Sequence, residues 1–177
     1  MRGAAGPLAK FGSAARPAAH MLAARLLALF IAAAAFAANP ASAQRADQAV
    51  DGGIAVVETS SGSHSFTVEL AESQAQRARG LMHRREMAPD HGMLFDFGAD
   101  DEVTMWMQNT YISLDMVFLT KDGSVHRIER NTTPLSTKTI SSKGPVRSVL
   151  ELNAGTADRI GLKRGDTVRH TMFGNAE

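Results

Sequence analysis

Residues 112–130, ISLDMVFLTKDGSVHRIER, decide the fold class. Ile112, Leu114, Met116 and Phe118 alternate with Ser113, Asp115, Val117 and Leu119, the two-residue period of a strand whose successive side chains point to opposite faces. Lys121-Asp122-Gly123-Ser124 supplies turn residues, and residues 125–130 return as a partner strand, the clearest hairpin in the chain.

Working outward, residues 54–57 and 64–70 flank Ser60-Ser61-Gly62-Ser63, and Phe66, Val68 and Leu70 alternate against Thr67 and Glu69, so a second hairpin is expected. Ser73-x-x-Gln76 has the form of a capping box and Gly80 stands where a helix end would place it, which predicts a two-turn helix over residues 74–79. Residues 93–97 and 103–107 read as strands separated by the acidic turn Gly98-Ala99-Asp100-Asp101-Glu102. Residues 132–143 read as a Ser/Thr/Pro-rich loop, residues 148–152 as a strand, and residues 155–160 as a short helix closed by Gly161. Gly165-Asp166 then turns into a last strand over residues 167–172. Short strands in regular succession with two small helices indicate a mainly β (α+β) fold, a compact antiparallel barrel- or sandwich-like single domain.

The N-terminal segment reads differently. Residues 1–43 hold Arg2, Lys10, Arg16 and Arg25, no Asp or Glu, an apolar run over residues 26–38, and then Ala41-Ser42-Ala43. A charged start, an apolar centre and a small-x-small site predict a signal peptide cleaved after Ala43 and an exported, periplasmic protein in a bacterium. The 13-residue run is shorter than the roughly 20 residues that span a bilayer, so no membrane anchor is expected after cleavage. Initiation at Met21 would give a more compact signal. The organisation read from the sequence is thus a signal peptide (1–43), a disordered polar leader (44–53), the domain (54–173) and a short tail (174–177).

The chain has 19 Lys+Arg against 18 Asp+Glu; residues 1–43 take four bases and no acid, leaving 15 against 18, a net charge of −3. A phosphate-neutralising basic surface is not suggested, so nucleic acid is not an expected partner. There is no Cys, which excludes disulfides, thiol catalysis, CxxC redox chemistry and cysteine zinc sites.

Residues 80–118 hold the only Trp, the only Tyr and six of the seven Met beyond residue 43. Together with the later segments they form an ordered set: Gly80-Leu81-Met82-x-Arg84, Gly92-Met93-Leu94-Phe95-x-Phe97, Met105-Trp106-Met107-x-Asn109-Thr110, Leu114-Asp115-Met116-x-Phe118, Asp122-Gly123 and Leu150-Glu151-Leu152-x-x-Gly155. This set resembles the DUF192 family, also called UPF0127, over about residues 54–173. The resemblance implies a small, predominantly β domain with a barrel-like core, often exported, and implies no particular chemistry.

Read from the residues alone, three kinds of chemistry compete. Met82, His83, His91, Met93, Met105 and Met107 are thioether and imidazole groups suited to Cu(I), which makes a Met/His copper-binding protein one alternative. Met is also an adaptable filler of irregular cores, and that role is the expected one here, so no cofactor is predicted. No G-x-S-x-G, H-E-x-x-H or P-loop string occurs. An envelope enzyme would have to use a carboxylate acid/base pair, for which Asp115 with Glu151, or Asp96 with Asp101, are the available residues.

The third reading is a non-catalytic binding or accessory module for a small polar ligand or envelope component. Its shallow site would use Trp106 and Tyr111 as an aromatic platform, with Arg84, Asn109 and Asp115 orienting the ligand. A carboxylate at Asp115, between Leu114 and Met116, needs a partner if buried, and Arg84 is the bidentate one expected.

Overall fold

The computed structural model describes residues 48–176. In chain order they form β1 (Val50–Thr59), β2 (Gly62–Ala71), α1 (Gln74–Arg79), β3 (His91–Met105), β4 (Leu114–Leu119), β5 (Val125–Glu129), β6 (Ile140–Asn153), α2 (Thr156–Arg159) and β7 (Thr167–Arg169). A 3-10 turn at Thr171–Phe173 follows. The expected signal peptide, and leader residues 44–47, lie outside the described residues.

The hairpin that opened the reading is present, with Met116 opposite Glu129 and Phe118 opposite Arg127. The seven strands make one sheet in the order β5-β4-β6-β3-β2-β1-β7. Every neighbouring pair is antiparallel except β2 with β3. Parallel neighbours need a crossover, which residues 72–90 with α1 supply. The sheet curls until its outer edges touch: Ser124 bridges Thr167, the Val125 amide donates to the Asp166 carbonyl at 2.8 Å, and the Val168 amide donates to Gly123 at 2.8 Å. The result is a curled, barrel-like sheet with two short helices, as the strand pattern predicts.

Both faces of the central strands are covered. The inner face buries Val57, Phe66, Leu94, Val117, Leu150 and Val168 against α2 and its flanks. The outer face of β3, β4 and β6 buries Met93, Phe95, Leu114, Met116 and Phe118 beneath Leu81 and Met107. All six residues of β4 are therefore buried, and the alternation in residues 112–119 separates two cores rather than core from solvent. Each large apolar side chain so enclosed contributes about 1.5–3 kcal/mol.

The structure departs from the sequence reading at several boundaries. β1 begins at Val50, inside the expected disordered leader, because residues 50 and 51 pair with Leu70 and Glu69. The two strands expected around residues 98–102 are one, β3; the acidic residues stay within it as an irregularity, with the register against β6 shifting between Asp96 and Asp101. β6 starts at Ile140, inside the expected loop, and the last strand stops at Arg169. His170, 2% exposed, ties β1 to the segment after β7: its Nε2–H donates to the Gly52 carbonyl at 2.6 Å and its Nδ1 accepts from the Met172 amide.

Candidate functional site

The helix α1 forms for the local reason expected. The Ser73 hydroxyl accepts from the Gln76 amide at 3.2 Å, and the Gln76 side-chain oxygen accepts from the Ser73 amide at 2.9 Å. Gly80 ends the helix at φ +48°, and a Cβ there would come within 3.1 Å of the Phe95 ring, so the turn and the close approach both require glycine. Arg77 fastens the helix to the sheet: Nη1 donates to the Asp96 carbonyl at 2.8 Å and to the Glu72 carbonyl, and the guanidinium lies 5.4 Å from the centre of the Phe97 ring.

Between this helix and the end of β3 lies a cavity of about 240 Å³. Phe95, Phe97, Met105 and Trp106 give it apolar walls, and Arg77, Arg79 and Glu151 are its titratable lining groups. Trp106 is 49% exposed and forms part of the entrance. Glu151 sits on β6 opposite Met93 and Met116 and is only 4% exposed. Among the described residues no hydrogen bond or ion pair reaches its side chain. Burial pushes the Glu151 carboxyl from an ordinary 4.5 up to about 8, so at neutral pH it is an uncharged acid, one donor and one acceptor facing the cavity.

The residues expected to converge do so only in part. Trp106 lines the cavity. Asn109 shapes the loop after it, in the left-handed region at φ +56°, with its carbonyl accepting from the His83 amide at 2.8 Å. Tyr111 stands outside the cavity lining, edge-on to His83 and under the Arg85 guanidinium. Arg84 does not meet Asp115; its partner is Glu69, with Nη2 donating to Oε2 at 2.7 Å and Nη1 to Oε1. Asp115 is fully buried on the inner face of the sheet, where Oδ1 accepts from the Asn131 amide at 2.9 Å and Oδ2 from the Ala157 amide at 2.8 Å. The second bond satisfies a free amide at the start of α2, whose own N-cap is Gly155 with no side chain to do so.

Neither carboxylate pair forms. Asp115 is opposite Leu152 and Met116 is opposite Glu151, so the two acids project from opposite faces of the sheet. Asp96 is held by Arg147, whose Nε and Nη2 donate at 3.1 and 3.0 Å. Burial raises the Asp96 carboxyl, but the Arg147 hydrogen bonds, the Gly98 amide and nearby guanidinium charge outweigh it and keep it below the usual carboxylate range. Asp101 instead accepts from the Glu102 amide.

The Met/His candidates are dispersed. Met93 and Met107 are each 1% exposed in the outer core, and Met105 packs against the same cluster. Met82 and Met105 line the cavity. His91 pairs with Asp90, and His83 rests on Tyr111. Among the described residues no three His, Asp or Glu side chains gather as a metal group, and no helix is long and apolar enough to cross a membrane. Two other hollows, of about 430 and 490 Å³, flank Arg127 and Lys143. Two of the guanidiniums there are already paired, Arg127 with Glu129 and Arg130 with Asp158.

Glu151 enters the sequence reading only as an available partner for Asp115, and the structure puts the two acids on opposite faces of the sheet. The available signal for Glu151 was an acid inside the apolar run Val149-Leu150-Glu151-Leu152, the same local pattern as Asp115.

The sequence profile of the DUF192 family, described as Uncharacterized ACR, matches residues 56–170, and the chain belongs to that family. A crystal structure from Sinorhizobium meliloti 1021, by name only a transcription regulator, is similar at 48% identity and a TM-score of 0.68, covering 71% of this chain and 97% of its own. One from Novosphingobium aromaticivorans DSM 12444, a protein of unknown function, is similar at 40% identity and a TM-score of 0.64, covering 66% of this chain and 83% of its own. No curated protein matches the chain.

Proposed function

We propose that this protein is a non-catalytic binding module that takes a small polar ligand into the cavity between α1 and Trp106. One observation supports this above the others: Glu151 is buried, lines the cavity and has no partner of its own among the described residues. Its carboxyl opens onto the cavity, where a ligand bonded to it would take the place of solvent. Aromatic and thioether walls around one convergent polar group are the usual composition of a small-molecule site. A general acid near neutral pH would also need a raised carboxyl, but acid/base catalysis needs a second group, and the other titratable groups lining the cavity are the arginines Arg77 and Arg79. In this reading the module works in a bacterial envelope, supported by the signal-like residues 1–43; recovery of the uncleaved chain in the cytoplasm on cell fractionation would argue against that location.

Thermal-shift screening against small polar metabolites and envelope sugars tests the site. A ligand at a hundredfold excess over its Kd adds about 2.7 kcal/mol, a rise of about 10 °C for a domain of this size. The expected hit loses its shift in Trp106→Ala while that variant keeps its fold. A screen in which no stabilising compound depends on Trp106 rejects the site.

A further inference from the structure

This inference rests on the binding reading above and names the chemistry of the ligand. We propose that the cavity takes a free amino acid with an apolar side chain, its ammonium group on the Glu151 carboxylate and its own carboxylate toward Arg77. The charges of the cavity are separated by depth. Glu151 is 4% exposed, whereas Arg77 and Arg79 are half-buried on α1 nearer solvent. A bare cation would have to pass the Arg77 guanidinium, and a bare anion would meet in Glu151 a single O–H donor rather than a charge. A zwitterion with the ammonium leading meets each group with its complement. The ammonium supplies only donors, which suits a carboxyl that receives no hydrogen bond from the described residues.

Size and wall chemistry agree with this class. About 240 Å³ falls below the roughly 300–1,000 Å³ of drug-sized pockets. Phe95, Phe97, Met105 and Trp106 provide apolar surface for one short side chain. The other titratable groups lining the cavity are Arg77 and Arg79 of α1, and the neighbours of Glu151 on β3 and β4 are the uncharged Met93 and Met116. Because burial holds the carboxyl up to about 8, binding at pH 7 converts Glu151 from acid to carboxylate, and its proton passes to solvent as the already protonated ammonium docks.

Isothermal titration calorimetry of the purified protein at pH 7 tests this with alanine, valine, leucine, methionine and phenylalanine as probes. Measurements run in two buffers of different ionisation enthalpy. At least one amino acid should bind with release of about one proton. It should bind at least tenfold more tightly than its des-amino acid and its decarboxylated amine. Glu151→Gln should abolish the proton release and weaken binding at least tenfold without lowering the Tm. Failure of all five probes, equal binding of the des-amino acid, or binding without proton release overturns the proposal. Ligands that depend on Trp106 but lack an ammonium would overturn it while leaving the binding reading intact; a screen with no Trp106-dependent ligand of any kind would overturn both.

Discussion

Asp115 and Glu151 look alike in the sequence, each an acid between two apolar residues of a strand, and the structure gives them opposite roles. Asp115 accepts two backbone amides and holds α2 and the 130s loop to β4. Asp115→Ala orphans the buried Ala157 amide and the half-buried Asn131 amide and is expected to cost about 2–3 kcal/mol, read from urea denaturation midpoints. Glu151 works against folding at neutral pH. Below about 4.5 it is protonated folded and unfolded alike; between 4.5 and about 8 only the unfolded chain gives up its proton, so stability falls as pH rises through that window. The slope is about 1.4 kcal/mol per pH unit, and above 8 it vanishes because both states are ionised. Glu151→Gln should remove this slope and raise stability at pH 7 by roughly 3 kcal/mol; urea midpoints at pH 5 and 7.5 that still diverge in the variant would reject the assignment. Asp96 has the opposite sign: held low chiefly through Arg147, it stabilises above the carboxylate range and loses that contribution as pH falls.

At the scale of elements, legibility follows how local the cause is. α1 was readable to the residue because Ser73, Gln76 and Gly80 lie within two turns of one another. Its end is also the cavity wall. Gly80→Ala places a Cβ against the Phe95 ring at a backbone angle that L-residues rarely adopt, and should cost about 1–3 kcal/mol, visible as a lower Tm, with weaker ligand-induced shifts. An unchanged Tm would mean that the turn relaxes. The β3–β6 ribbon was not readable in the same way. Residues 98–102 carry the composition of a turn, and only pairing with Val146 and Pro145 across a shifted register keeps Asp101 and Glu102 within a strand. The parallel neighbours β2 and β3 are likewise set by the crossover's path, which no strand pattern encodes.

At the scale of the molecule, closure depends on the last residues. β7 pairs with β1 over three residues and meets the β5 edge through Ser124, Val125 and Gly123. Removing the chain from Arg164 onward would expose the β1 and β5 edges and delete Val168 and His170 from the interior. The truncated protein is expected to lose cooperative unfolding in calorimetry; retention of one sharp transition would show that the curled sheet closes without β7. The sequence by itself determined the fold class, the two hairpins, the capped helix, the absence of cysteine chemistry and the family, because alternation, turn residues and caps act over a few neighbouring residues. The tertiary structure alone decided the site. Which sheet face an acid occupies, and whether a partner meets it there, depends on strand register and on segments far apart in sequence. That difference turned Asp115 into a structural clamp and left Glu151 facing an open cavity.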